Sequence, residues 1–168
     1  MNRRHLLAVG GATAALLAIG GGAIAWWRPA RVAGQLQPDA QVMLQQIAEA
    51  ILGPALPAEP VAHAAALQQY LGRLQATIAG MPPAMQAEVD QLLTLLLSPP
   101  GRQWLLGLSS AWPQAGAAEL QDALQSLRQS RLALRQQVFH ALRDLTNAAY
   151  FAAPATWELL GYPGPVAV

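Results

Sequence analysis

The sequence predicts an all-α fold: an apolar N-terminal transmembrane or signal helix followed by a compact domain of five to six helices. Three observations predict it. Apolar residues recur three and four positions apart through most of the chain, the spacing of a helix that buries one face. Proline and glycine clusters cut that pattern into helix-length blocks. No stretch shows the two-residue alternation and β-branched enrichment of a half-buried strand.

The first block is Met1 to Trp27. Met1-Asn2-Arg3-Arg4-His5 is short and basic, and Leu6 to Trp27 is a run of 22 residues without a charge. As a helix such a run reaches roughly 33 Å, enough to cross a hydrocarbon core of about 30 Å. Two readings of residues 1–27 stand side by side. Ala23-Ile24-Ala25 fits the small-x-small pattern of a cleaved export signal. The length of the run, with Trp26-Trp27 before Arg28, fits a retained anchor with an interfacial aromatic belt. Arg3, Arg4 and the amino terminus, set against Arg28 and Arg31, bias an uncleaved segment toward a cytoplasmic N-terminus. Arg3-Arg4-His5-Leu6-Leu7 also resembles the twin-arginine export signal, two adjacent arginines followed by any residue and two apolar ones. It departs from the commonest form in having Leu6 where phenylalanine is frequent and no lysine after Leu7. Such signals export folded cargo, so the resemblance implies a domain on the periplasmic side of a bacterial cytoplasmic membrane.

Residues 28–38 read as a linker, and the helical domain spans 39–168. Asp39 is placed to cap a helix whose apolar positions run Met43, Ile47, Ile51 and which stops at Gly53-Pro54. A second helix covers about Val61 to Ala79, with Leu67, Leu71, Leu74 and Ile78 in one stripe, and ends at Gly80-Met81-Pro82-Pro83. A third runs from about Ala84 to Leu97, before the break Ser98-Pro99-Pro100-Gly101. A short helix from Arg102 to Ser109 follows, then a loop opened by Trp112-Pro113. Ala117 to Gln129 and Ser130 to Tyr150 carry the last two helical patterns, with no glycine or proline to mark where one ends.

Composition narrows the function. The chain is 54% hydrophobic and 11% charged, against about 25% charged in ordinary domains. It has no lysine; all ten basic residues are arginine. From Arg28 onward eight arginines face nine acids, a net −1. A near-neutral domain is a poor partner for a phosphate backbone, which argues against nucleic-acid binding. The absence of cysteine excludes disulfides, thiolate metal sites and covalent c-type haem attachment on this chain.

The residues that carry chemistry elsewhere form no catalytic constellation here. His63 follows Glu59 by four positions, a spacing for two metal ligands on a helix, but no third ligand is visible. His140 and Asp144 stand at i,i+4 and read as a helix-surface hydrogen-bonded pair. Ser109, Ser110, Ser126 and Ser130 lack a nucleophile-elbow frame. The glycines at 10–11 and 20–22 lie inside the apolar run and follow no strand, so they cradle no nucleotide phosphate. Glu88 and Asp90 read as solvated acids. Arg128, Arg131, Arg135 and Arg143 form a basic patch, with Glu119 and Asp122 as candidate balancing charges; the patch reads as a solvated face or as a surface for an anionic partner. Intrinsic enzymatic activity is therefore not expected.

The most distinctive stretch is the tail from Tyr150 to Pro165. Pro154 suits the first position of a short helix and Gly161 the left-handed residue that ends it. Pro163-Gly164 suits the centre of a type II turn. Trp157 and Leu160, at i,i+3, can bury one face, and Tyr162 can pin the tail. Aromatic and restricted residues at a terminus, where chains usually fray, require something to hold them: the domain itself or a partner.

This tail resembles the small (gamma) subunit of membrane-bound gluconate 2-dehydrogenase, the subunit 3 family. The matching features are the aromatic pair Tyr150-Phe151, the Pro-initiated turn Pro154 to Trp157, and the ending Leu160-Gly161-Tyr162-Pro163-Gly164-Pro165. The specific match covers 16 residues; the rest agrees in outline. The resemblance implies a non-catalytic subunit that accompanies a flavin-bearing dehydrogenase of the glucose–methanol–choline class, often with a cytochrome c subunit. FAD and haem c are then expected on those partners and no cofactor on this chain. It implies that the twin-arginine segment, Arg3 and Arg4, serves export and assembly of the catalytic subunit as well. Tyr150, Phe151, Trp157, Leu160, Gly161, Tyr162, Pro163, Gly164 and Pro165 are the expected partner interface or tail lock. The alternative from the residues alone is a stand-alone membrane-anchored helical adaptor or envelope structural protein.

Overall fold

A computed structural model describes residues 28–164; the apolar run, Arg3, Arg4 and Pro165 lie outside the described residues. Those described form an all-α domain with one small hairpin. None of their helices is long and apolar enough to cross a membrane.

The segment expected to be a linker is structured. Strands β1 (Arg31–Val32) and β2 (Gln35–Leu36) pair antiparallel, Arg31 opposite Leu36 and Val32 opposite Gln35. The two residues between them, Ala33 (φ 49°) and Gly34 (φ 79°), both have positive φ, the backbone of a tight turn matched to strand twist. Ala30 and Leu36 are buried in the main core. Ala30 N–H donates to Thr94 Oγ1 at 3.1 Å, and Gln37 N–H donates back to the Ala30 carbonyl at 2.9 Å. The guanidinium of Arg31 crosses to α3 (Pro83–Leu97) and donates through Nη1 to Asp90 Oδ1 at 2.8 Å. Asp90 is thus half of an ion pair, not the freely solvated acid its sequence context suggests.

Helix α1 (Pro38–Leu52) is the hub. It touches α3, α2 (Pro60–Ala79), α5 (Ala117–Arg128), α6 (Ala133–Phe151) and the Trp112–Gln114 turn. Its buried positions Ala40, Met43, Leu44, Ile47, Ala48 and Leu52 recur three and four apart in one broad stripe, wide enough to meet several neighbours. It opens on Pro38 with Gln37 as the preceding residue and no side-chain cap. The expected capping by Asp39 does not occur because Asp39 is already inside the first turn.

Helix α2 begins better. Both Glu59 carboxylate oxygens accept backbone N–H groups, from Val61 at 3.0 Å and Ala62 at 2.7 Å, satisfying two donors that a helix start leaves open. Those bonds hold the Glu59 carboxyl below its usual range. The α2 stripe Leu67, Tyr70, Leu71, Leu74 and Ile78 is buried, chiefly against α6. Each such leucine contributes about 1.5–3 kcal/mol of apolar burial. Within that interface the Tyr70 hydroxyl meets Thr146 Oγ1 at 3.4 Å, and burial pushes the phenol up to about 12.

After α3 the chain doubles back through α4 (Pro99–Gly101) into a π-helical turn, Arg102–Leu106. Ser98 makes that reversal: its hydroxyl donates to the Leu95 carbonyl at 2.7 Å and accepts Gly101 N–H at 3.1 Å. Gly107 (φ 74°) ends the turn. Trp112 is buried, its indole N–H donating to the Leu96 carbonyl at 3.0 Å. The break between α5 and α6 falls at residues 129–132, where Ser130 Oγ accepts Leu132 N–H at 3.2 Å. A serine that offers its own acceptor replaces the missing glycine or proline.

Candidate functional site

The last turn of α6 ends in carbonyls that the helix itself cannot satisfy. Three of them are taken up from outside. Arg73 Nε, reaching from α2, donates to the Ala149 carbonyl at 2.7 Å. Thr156 Oγ1 lies 3.3 Å from the Tyr150 carbonyl and 2.7 Å from that of Ala153. Trp157 Nε1 donates to the Phe151 carbonyl at 3.0 Å. The tail is therefore the C-cap of the longest C-terminal helix, built from side chains in place of the usual glycine.

Its own backbone is a 3-10 helix, Pro154–Leu160, closed by Gly161 at φ 68°, as the sequence predicts for Pro154 and Gly161. Gly161 N–H donates to the Glu158 carbonyl at 2.9 Å and Tyr162 N–H to that of Trp157 at 3.1 Å. The Tyr162 ring packs on Trp157 with centroids 5.4 Å apart. Gly164 (φ 97°) lies against the same indole: a Cβ there would sit 3.7 Å from its ring carbons. At the base, Tyr150 and Phe151 meet edge to face at 5.1 Å. The Tyr150 hydroxyl donates to the Ala55 carbonyl at 2.7 Å, tying α6 to the chain just past α1. Burial pushes the Tyr150 phenol above its usual range, against the pull of the Arg73 charge.

The tail departs from expectation in one respect. Trp157 and Leu160 do not bury a common face. Trp157 is half-buried because it turns back onto the end of α6. Leu160 lies three residues further along, about 6 Å in a helix of this type, and is 59% exposed. Leu159 and Tyr162 are exposed with it. No tail residue from Pro154 to Leu160 is fully buried. Tyr150, Phe151 and Trp157 are thus the lock, with Gly161 and Gly164 supplying the bends. Leu159, Leu160 and Tyr162 form an apolar rim facing solvent, with Pro163 beside them. Thr156 and Arg73 belong to the lock but carry no signal in the sequence, since hydroxyls and arginines on helices usually face water.

The remaining candidates resolve otherwise. Glu59 is engaged at the helix start, so His63 pairs instead with Glu49 (Nε2 to Oε1, 3.3 Å) and with the Pro57 carbonyl (3.1 Å). His140 packs edge to face on Phe139. Asp144 turns to Arg143 at 2.8 Å, not to His140. Arg135 donates to the Leu105 carbonyl at 3.0 Å and Ser126 Oγ at 3.1 Å, while Glu119 accepts from Ser110 at 2.8 Å. The expected balancing of Arg135 by Glu119 is therefore not made. Among the described residues no three His, Asp or Glu side chains converge as a metal site. No protein-family model, curated protein or solved structure matches this chain.

Proposed function

We propose that this chain is a non-catalytic small subunit of a membrane-bound, periplasmic flavin-dependent dehydrogenase of the glucose–methanol–choline type, aiding export and assembly of the catalytic subunit. The oxidation, the FAD and any haem c belong to partner subunits. The membrane is met through residues 6–27, with the N-terminus cytoplasmic if the segment is retained. Arg3 and Arg4 direct export of the folded pair.

One observation carries this reading. The tail is locked to the domain by its side-chain cap, yet Leu159, Leu160 and Tyr162 face outward. An apolar rim on a rigid base loses little conformational entropy when a partner covers it, which is what a docking element needs. The resemblance of residues 150–165 to the subunit 3 family names the partner class.

Co-expression tests it. The tagged full chain, expressed with its neighbouring genes, is expected to bring down a flavoprotein with the absorbance of bound flavin. Lysine at both Arg3 and Arg4 is expected to hold that flavoprotein in the cytoplasm. A chain that is exported and never captures a flavoprotein is the stand-alone anchored adaptor instead.

A further inference from the structure

A cleft of about 380 Å³ opens at the other end of α1, where Asp39, the end of α3, Arg102 and Trp112 meet below Arg28. Arg102 is only 9% exposed. Its Nε is sealed from solvent and has no hydrogen-bond partner, and no ion pair among the described residues includes it. The other buried arginine, Arg31, has both Asp90 and the Gly34 carbonyl as acceptors. A buried guanidinium N–H without an acceptor is costly, so proteins normally pair it or reserve the group for a ligand.

The surroundings favour an anion. Arg28 and Arg102 against Asp39 leave the cleft one positive charge in excess. Thr94 Oγ1 accepts from Ala30 N–H, which leaves its hydroxyl proton free to donate. The Trp112 indole N–H is committed to Leu96, so its ring is a fixed apolar wall. Arg28 directly follows the apolar run Leu6–Trp27.

We propose that this cleft binds a singly charged phosphate oxyanion, held by Arg102 with Arg28 at the rim. The anion is the phosphodiester of an anionic lipid headgroup or a free phosphate. The headgroup source rests on the membrane reading of residues 6–27; the oxyanion site does not. A guanidinium presents paired donors that match phosphate oxygens.

The test is the thermal midpoint of the full chain in an uncharged detergent, titrated with inorganic phosphate, with phosphatidylglycerol and with phosphatidylcholine. The wild-type midpoint is expected to rise by several degrees and saturate with phosphate or phosphatidylglycerol. Arg102→Met should keep the wild-type midpoint without anion, because it removes an unpaired charge and retains the stem, and should bind at least tenfold more weakly. Arg28→Gln, at an exposed position, should weaken binding a few-fold without altering the fold, and keeps the test open if Arg102→Met misfolds. A response to phosphatidylglycerol alone assigns the site to a headgroup; a response to phosphate assigns it to the free anion. No response to any titrant overturns the proposal. So does a response that neither variant weakens, or an Arg102→Met protein that folds but melts well below wild type in anion-free buffer.

Discussion

Replacing Asp90 with alanine isolates the contact that fastens the hairpin to the helical domain. The Arg31 side chain is 2% exposed and the Asp90 side chain 40% exposed, with Nη1 and Oδ1 2.8 Å apart. Removing one partner of a fully buried pair costs about 3–5 kcal/mol, and an exposed pair contributes about 0.2–1 kcal/mol. This pair lies between those limits, and Arg31 keeps the Gly34 carbonyl, which accepts Nη2 at 3.1 Å. The expected loss is therefore about 2 kcal/mol, or a fall in midpoint of about 8 °C for a domain of this size. Thermal melts of the full chain in detergent, followed by far-UV circular dichroism, read it out. Arg31→Met removes the charge, so Arg31→Met with Asp90→Ala should cost less than the two single changes summed, by about 1–2 kcal/mol. An Asp90→Ala midpoint within about 2 °C of wild type, or strictly additive single changes, refutes the argument that Arg31 depends on Asp90.

Three further outcomes follow from other parts of the fold. Gly101→Ala places a Cβ against the Leu95 carbonyl oxygen and 2.7 Å from Ser98 Oγ; a loss of about 3 kcal/mol is expected by chemical denaturation, and a neutral result refutes the tight reversal after α3. Tyr70 ionises near 10 when unfolded and at about 12 in the fold, so its contribution is fully present below pH 10 and is lost as pH rises through 12, at about 1.4 kcal/mol per pH unit between them; Tyr70→Phe should reduce the slope of alkaline unfolding curves by that amount, leaving the part due to Tyr150, and an unchanged slope refutes the assignment to Tyr70. Trp157→Ala removes the cap on Phe151 and the stack with Tyr162; with no tail residue buried, hydrogen exchange over residues 156–162 should rise at least about tenfold while the global midpoint falls by less than about 3 °C. A global fall above about 10 °C places the tail in the core instead.

The helices were legible because their determinants are local. Proline opens α1, α2 and α3, glycine or Ser-Pro closes them, and the stripe Leu67, Leu71, Leu74, Ile78 is buried as its spacing requires. The hairpin was not legible: two-residue strands contain a single alternation, too little to show a period, and their stability comes from Ala30, Leu36 and the Arg31–Asp90 pair across 59 positions. The α5–α6 break was blurred for a related reason, since it is made at Ser130, whose N–H donates to the Leu127 carbonyl and whose hydroxyl accepts Leu132 N–H, with no glycine or proline to mark it. In the tail the sequence showed where the chain bends but not which apolar residues turn inward. That choice is made by the open carbonyls of Ala149, Tyr150 and Phe151, which draw Arg73, Thr156 and Trp157 toward them and leave Leu160 outside. The lone Arg102 looked like any helical arginine, because only the closed fold shows that no acceptor reaches it.

The two features that point to function sit at opposite ends of one rigid element. Helix α1 has 15 residues, about 22 Å at 1.5 Å per residue. The oxyanion cleft is built on its first turn, at Asp39 and Val42, next to the residue that leaves the apolar run. The tail is fastened just past its last turn, through Tyr150 and Ala55. The charged cleft therefore lies at the end of α1 nearest in sequence to the apolar run Leu6–Trp27. The apolar rim Leu159, Leu160 and Tyr162 is carried at the other. α1 also touches α2, α3, α5 and α6, so the separation between the two ends is fixed by the core and not by a flexible connection. That separation suits the assembly role proposed above, in which one end of α1 meets a large partner and the other lies next in sequence to residues 6–27.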